Sequence, residues 1–181
     1  DHRDLHSFPT RRSSDLLNEY FEVMTQAIFD QGGTVDKFMG DAVLALFGAP
    51  ESLSPNEQVR RAIAAARHMY QNLEELNQRW QGVPNVTFRC GIHQGTAVVG
   101  MFGSSQRADY TAIGPSVNIA ARLQEAADGK SILVSAAVAD YLDTQEIIKS
   151  SSLKLKGIDE TVLTFTVKTS MSSDLDNRGK H

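Results

Sequence analysis

Two spacings of hydrophobic residues alternate along the chain, one typical of helices and one typical of strands. Apolar residues recur every three or four positions in three stretches, as on the buried face of an amphipathic helix. These predicted helices cover 17–31, 55–80 and 114–127. Short β-type runs separate the helices and follow the last one. Because strands and helices alternate, we expect an α+β fold in which helices cover a sheet.

The turn and cap residues between these stretches sharpen the prediction. Two β-type runs joined by Met39, Gly40 and Asp41 have hairpin spacing. Ser54 is expected to cap the second helix, with Pro55 at its first position and Glu57 completing a capping box. A loop is expected at 104–108 and a short helix at 136–142. The predicted strands are 34–38, 42–47, 86–93, 96–102, 110–113, 131–134 and parts of 147–167.

Composition narrows the class of protein. The chain has 181 residues, enough for one domain, and its 18 basic and 22 acidic residues give a net charge of −4. This mildly acidic balance argues against a nucleic-acid partner. The single cysteine, Cys90, excludes an internal disulfide. No apolar run reaches the length of a membrane span, so we expect none.

The two ends differ from the rest of the chain. Residues 1–16 are polar and aperiodic, and they can be encoded by a common sequencing adapter read in one frame, so we interpret them as non-native. Residues 169–181 are polar and are predicted to be a disordered tail. The folded domain is therefore expected to cover 17–168.

Several polar residues could carry chemistry, although each has a simpler structural interpretation. Asp41 fits a turn, but a carboxylate at a turn can also bind a hard cation such as Mg²⁺. Lys37 would ordinarily be a solvated strand lysine. Asn118 and Arg122 lie four apart and share one helix face. They could be a solvated flank, or they could bind a sugar and a phosphate.

Two other possibilities are weak. Cys90 and His93 lie three apart on a predicted strand, so their side chains point to opposite faces and a shared metal is not expected. The glycines near residues 95–103 do not form a P-loop, because the lysine that such a loop requires is absent.

Three motifs in order carry a resemblance to a known family. They are FDQGGTVDKFMGDAVLALFGAP (29–50), RCGIHQGTAVVGMFGSSQRADYTAIGPSVNIAARLQEAA (89–127) and LKLKGIDETVLTFTV (153–167). Together they resemble the catalytic domain of class III nucleotidyl cyclases, most of all the bacterial adenylate cyclases. The resemblance covers about residues 17–168 and implies a ferredoxin-like βαββαβ fold.

The resemblance implies roles for individual residues. Asp41 would be the second of two metal-binding aspartates, and Lys37 would read the adenine ring. Thr111 in YTAIG occupies the companion purine-contact position. Asn118 would orient the ribose, and Arg122 would stabilise the α-phosphate. In the closing motif Lys154 resembles the lysine that contacts the triphosphate, with Lys156 as the second choice.

The implied activity is adenylate cyclase. The ribose 3′-hydroxyl of ATP would attack the α-phosphorus, pyrophosphate would leave, and two Mg²⁺ or Mn²⁺ ions would assist. The implied assembly is a homodimer with active sites shared between subunits. Upstream sensor or regulatory domains, a role in intracellular signalling and a cytoplasmic location of the domain are also expected.

The sequence departs from the family pattern at its start. The family's first strand carries the other metal aspartate, and the adapter-like segment stands in its place here, so we expect this chain to be impaired. Asp15 is not assigned that role, because no strand surrounds it. Two alternatives remain: a catalytically silent cyclase-like module that binds nucleotide or dimerises, and a guanylate cyclase. The second is disfavoured because Lys37 and Thr111 suit adenine.

Overall fold

Helices and strands alternate through the part of the chain that the structure describes. That part comprises residues 11–171 of a computed structural model, with side chains described from Ser14 onward. The helices are α1 (Arg11–Asp30), α2 (Pro55–Arg79), α3 (Pro115–Ala126) and the short α4 (Ala136–Ala139), followed by a 3₁₀ turn at Thr144–Glu146. The strands are β1 (Thr34–Met39), β2 (Ala42–Leu46), β3 (Cys90–Ile92), β4 (Val98–Ser104), β5 (Arg107–Ile113), β6 (Ile132–Ser135), β7 (Ile147–Lys154) and β8 (Thr161–Val167). The predicted α+β class is confirmed.

Four of these strands form one sheet in the order β3-β6-β8-β7. Strands β3 and β6 are parallel, while β8 pairs antiparallel with both β6 and β7. The apolar face of β6, including Ile132 and Val134, packs against Val59 and Ile63 of α2. Burial of this face is the main stabilising contribution expected from the sheet.

The remaining four strands form two antiparallel hairpins, β1-β2 and β4-β5. The first pairs Met39 with Ala42 across its turn, and the second pairs Ser104 with Arg107. Each hairpin therefore closes with two residues, which is a tight connection. No strand pairing joins these hairpins to each other or to the four-stranded sheet within residues 11–171.

The start of α2 agrees with the sequence prediction in part. Ser54 caps the helix, since its hydroxyl accepts a hydrogen bond from the Glu57 N–H at 3.3 Å. The Glu57 carboxylate instead accepts from Arg61 Nε at 3.1 Å, one helical turn further on. The helix then packs against α1 through a second cluster that includes Tyr20, Met24 and Leu76.

The buried carboxylate of Glu146 links the segment before the edge strand β7 to α2. Arg67 Nη1 donates to Glu146 Oε1 at 3.1 Å, and the Asp143 N–H donates to Oε2 at 2.8 Å. Burial alone would raise the pKa of Glu146, but the Asp143 N–H and the guanidinium groups of Arg67 and Arg60 outweigh it and lower that pKa. Glu146 is therefore held as an anion close to two arginines.

Two predicted segments differ from the structure. Only Cys90–Ile92 of the predicted strand at 86–93 is a strand, because the Asn77 side chain accepts from the Val86 N–H and donates to its carbonyl, both at 2.8 Å. The predicted loop at 104–108 is a tight turn inside one long hairpin. There Ser104 Oγ accepts from the N–H groups of Gln106 and Arg107, both at 3.3 Å.

The predictions for the chain ends fall mostly outside the described residues. This holds for residues 1–10 of the proposed non-native segment, for the expected absence of a first strand, and for most of the proposed tail. Residues 11–16 belong to α1, and Leu16 packs against the cluster that contains Tyr20. None of the helices described is both long and apolar enough to cross a membrane.

Candidate active site

The β1-β2 hairpin carries Lys37 on its first strand and Asp41 in its turn. Gly40 and Asp41 are the two turn residues, and Gly40 has φ +63°, a conformation that glycine adopts at little cost. Asp41 is exposed at this turn. Burial raises the pKa of the Tyr20 hydroxyl, and the Asp41 carboxylate raises it further. The turn therefore lies close to α1.

A β-bulge in β1 aims one carboxylate away from the hairpin. Val35 pairs with Ala45 and Lys37 pairs with Leu44, so Asp36 has no partner on β2. The Asp36 side chain is only 1% exposed. Its Oδ2 accepts from the Thr111 hydroxyl at 2.8 Å and from the Ala112 N–H at 3.1 Å. Asp36 thus joins the two hairpins.

The same carboxylate brings together the two residues predicted to read the purine. Lys37 Nζ lies 3.8 Å from Asp36 Oδ1, while Thr111 is bonded to Oδ2. The Lys37 side chain is about half exposed, at 48%, and Thr111 is 8% exposed. Sequence reasoning missed Asp36. The available signal was an acidic residue in a strand whose neighbours are mostly apolar.

Helix α3 carries Asn118 and Arg122, and it lies directly against β3. The two side chains are one helical turn apart, as predicted, with Asn118 exposed. An open groove where β5 meets α3 includes Asn118 in its lining. The close approach requires Gly91, because a Cβ there would overlap the Gln124 backbone nitrogen and lie 2.5 Å from the Ala120 carbonyl oxygen.

Arg122 is held by an ion pair within its own helix. Its Nη1 donates to both carboxylate oxygens of Glu125, at 3.0 and 3.1 Å. The Arg122 side chain remains one-third exposed, at 33%. Because Glu125 uses only Nη1, the guanidinium fork can still present its other nitrogens to an anion.

The two candidate triphosphate lysines lie at the end of β7 and just after it. Lys154 is the last residue of β7, Lys156 follows in the turn, and both are exposed. Leu153 and Leu155 on either side of Lys154 belong to the same apolar cluster as Leu123 of α3. This packing holds the strand end beside the helix that carries Arg122.

Cys90 and His93 have different surroundings in the structure. His93 Nδ1 lies 2.8 Å from Ser135 Oγ, and burial lowers the pKa of His93. Burial raises the pKa of the Cys90 thiol to about 12, so it stays protonated at neutral pH. Cys90 packs against the apolar cluster between α2 and β6, while His93 contacts Ser135 at the end of β6.

Asp41 is the one predicted metal ligand, and it suits part of a magnesium site. No cluster of three or more acidic, His or Cys side chains that could hold a metal occurs among residues 14–171. Magnesium is commonly bound by one or two carboxylates together with substrate phosphates and water. An exposed carboxylate in a turn fits that role as one ligand among several.

Comparison with known proteins places this geometry in a family. The model of the adenylate and guanylate cyclase catalytic domain matches residues 6–169. Adenylate cyclase 1 of Rhizobium meliloti is 37% identical over 147 residues, covering 78% of this chain and 22% of that protein. The chain spans between about a fifth and a third of the curated relatives it matches first.

Solved structures agree with the family model. The adenylyl cyclase CyaB from P. aeruginosa superposes with a TM-score of 0.81 and 32% identity, covering 92% of this chain and 87% of that one. The guanylyl cyclase Cya2 gives a TM-score of 0.80, also at 32% identity, over 86% and 80% of the two chains. The fold is that of a nucleotidyl cyclase catalytic domain. This confirms the ferredoxin-like fold that the resemblance implied. The chain belongs to the adenylate and guanylate cyclase catalytic domain family.

The close contact at Gly91 yields a prediction about the position of α3. Gly91→Ala should lower the free energy of unfolding by about 2 kcal/mol, because the new methyl group overlaps the α3 backbone. Denaturant unfolding measures the change. Gly129→Ala is the control, since a Cβ there meets nothing within 4 Å. Equal stability of the two variants would contradict the tight packing of α3 on β3.

Proposed function

We propose that this domain converts ATP to 3′,5′-cyclic AMP and pyrophosphate. The observation that carries the proposal is the arrangement of Lys37 and Thr111 on the two oxygens of one carboxylate. An ammonium group can only donate hydrogen bonds, and the N1 atom of adenine can only accept them. A hydroxyl oxygen beside it can accept from the adenine 6-amino group.

The reaction needs positioning and charge neutralisation. The 3′-oxygen forms a bond to the α-phosphorus, the bond from that phosphorus to the bridging oxygen breaks, and the 3′ proton is released as pyrophosphate leaves. Asn118 orients the ribose. Arg122 donates to the α-phosphate oxygens as their charge rises, and Lys154, or Lys156 in its place, binds the leaving phosphates. Bound at Asp41 and the phosphates, a divalent cation would supply further charge stabilisation.

We also propose that the domain acts as a homodimer with shared sites. Exposed apolar side chains on the two hairpins support this, because clustered exposed apolar residues mark interaction surfaces. They are Phe38, Met39, Val98, Met101 and Ile113. In the arrangement implied by the family, Asp41 of one subunit meets Lys37, Asn118 and Arg122 of the other. Upstream regulatory domains, a signalling role and a cytoplasmic location belong to the same proposal.

A guanylate cyclase is the second candidate, since Cya2 is as similar in sequence as CyaB. The base-reading residues favour ATP. We expect little or no cyclase activity from the chain itself. Activity is therefore measured on the chain and on a version in which a strand bearing an aspartate, followed by a helix start, replaces residues 1–16, and the activity predictions refer to that version. A protein that binds ATP and dimerises in both versions without turnover would be the silent module.

The first functional prediction concerns base choice. ATP should be preferred over GTP in kcat/KM, and Lys37→Glu combined with Thr111→Cys should lower the ATP/GTP ratio at least about tenfold, because a site built on polar contacts discriminates strongly. Lys149→Glu, at an exposed lysine on β7, is the control and should leave the ratio unchanged. Comparable kcat/KM for the two nucleotides in the unmutated domain would overturn the preference.

The second functional prediction concerns the active sites shared between subunits. Asp41→Ala and Arg122→Ala should each reduce cyclic AMP formation by at least about 100-fold, through loss of a metal ligand and of a phosphate donor. After mixing and subunit exchange, half of the dimers are heterodimers with one intact site, so activity should recover to about a quarter of wild type. Heterodimers that form and show no recovery would count against shared sites.

A further inference from the structure

The Asp36 carboxylate fixes the direction of the hydrogen bond made by Thr111. The Ala112 N–H can only donate, and it donates to Asp36 Oδ2 at 3.1 Å, so this oxygen acts as an acceptor. The Thr111 hydroxyl lies 2.8 Å from the same oxygen. Among residues 14–171, the only other hydrogen-bond partner of that hydroxyl is the Ala112 carbonyl, also an acceptor, at 3.5 Å. The single hydroxyl proton of Thr111 is therefore directed to the protein.

A hydroxyl that has given up its proton can only accept further hydrogen bonds. Its two lone pairs remain available to a ligand, whereas it has no second proton to offer. Thr111 faces Gly100 across the hairpin, and a Cβ at Gly100 would meet only one atom, at 4.0 Å. The neighbouring position therefore places no side chain beside the threonine.

This direction distinguishes the two purines. Adenine carries an amino group at position 6, which donates, while guanine carries a carbonyl oxygen there, which accepts. A Thr111 hydroxyl that can only accept forms a hydrogen bond with the adenine amino group. It would be repelled by the guanine oxygen, which is also an acceptor. Lys37 favours adenine as well. Its ammonium can donate to the lone pair of adenine N1, whereas it would face another donor at the guanine N1–H.

We infer that Asp36 is a positioning residue that sets base specificity through Thr111. It holds the threonine hydroxyl as an acceptor and keeps the Lys37 ammonium nearby through its other oxygen. Because the carboxylate is buried and emerges from a bulge, both oxygens have fixed positions relative to the two hairpins. This inference rests on the proposed function, since it explains how that site selects ATP.

The variant Asp36→Ala tests the direction of the bond, because it removes the acceptor of the Thr111 hydroxyl. Asp36→Asn is the conservative variant and should keep most of the ATP preference, because the donating Ala112 N–H holds the asparagine oxygen at the Oδ2 position, where Thr111 can still donate to it. In Asp36→Ala neither Thr111 nor Ala112 retains the Oδ2 atom that both of them contact. The threonine proton is then free for the guanine oxygen. We expect the ATP/GTP ratio of kcat/KM to fall at least about tenfold, with GTP turnover rising relative to ATP turnover.

The ATP/GTP ratio of kcat/KM would stay unchanged if Asp36 only stabilised the fold. Partial unfolding removes the same fraction of activity toward both nucleotides. Glu146→Ala is the matched control, because Glu146 is another buried carboxylate that accepts from an arginine and a backbone N–H. It should lower both activities together and leave the ratio unchanged. The ratio of dissociation constants for the two nucleotides, from competition with a fluorescent ATP analogue, gives a second readout without turnover.

A double-mutant cycle tests whether Asp36 acts through Thr111. Thr111→Val removes the hydroxyl at nearly constant shape and should itself reduce the ATP/GTP ratio. In that background Asp36→Ala should change the ratio by much less than in the unmutated domain, because only the contact of Asp36 with Lys37 is left to lose. A tenfold change there, or an unchanged ratio in the single variant, would overturn the inference.

The proposed function and this inference fail in different ways. A wild-type domain that binds neither nucleotide, or that shows no ATP preference, overturns both. A wild-type domain that prefers ATP while Asp36→Ala keeps the full preference overturns only the role of Asp36.

Discussion

The Asp36 carboxylate is the contact through which the two hairpins of this domain become one site. No strand pairing links β1-β2 to β4-β5 among the described residues, yet Asp36 accepts from Thr111 and Ala112 on the second hairpin. Hydrogen bonds to a charged group contribute about 1.5–3 kcal/mol, and a buried carboxylate without them would be costly. These hydrogen bonds therefore hold the hairpin that carries Lys37 and Asp41 next to Thr111.

The rest of the site depends on how closely α3 approaches the sheet. Gly91 allows the α3 backbone to rest on β3, and Leu123 and Leu155 then share one buried cluster. This places Asn118 and Arg122 on a rigid helix, with Lys154 at an adjoining strand end. A rigid scaffold suits a reaction in which orientation and fixed charges lower the barrier.

Local patterns in the sequence were enough to predict much of this arrangement. The Gly40-Asp41 turn, the Ser54 cap and the helical spacing of Asn118 and Arg122 depend on near neighbours, and the structure contains all three. Long-range contacts were missed. Asn77 occupies the backbone groups of Val86 and prevents a longer strand, and Asp36 meets a partner 75 residues away.

The roles of the site residues were inferred from family resemblance rather than from spacing. No local rule shows that a strand lysine and a buried threonine meet at one carboxylate, because that meeting requires the bulge at Asp36 and the packing of two separate hairpins. The structure supplies this geometry. Given this geometry, the hydrogen bonds that the Asp36 carboxylate, the Thr111 hydroxyl and the Lys37 ammonium can make determine which base is favoured.

A crystal structure with magnesium and a non-cyclisable ATP analogue would show directly how Lys37 and Thr111 contact the base. We expect the adenine amino nitrogen to lie within about 3 Å of Thr111 Oγ1, Lys37 Nζ to contact the ring nitrogen, and Thr111 to keep its hydrogen bond to Asp36. Asn118 and Arg122 should then contact the ribose and the α-phosphate. A base bound away from Lys37 and Thr111, or a Thr111 hydroxyl turned away from Asp36, would contradict this expectation.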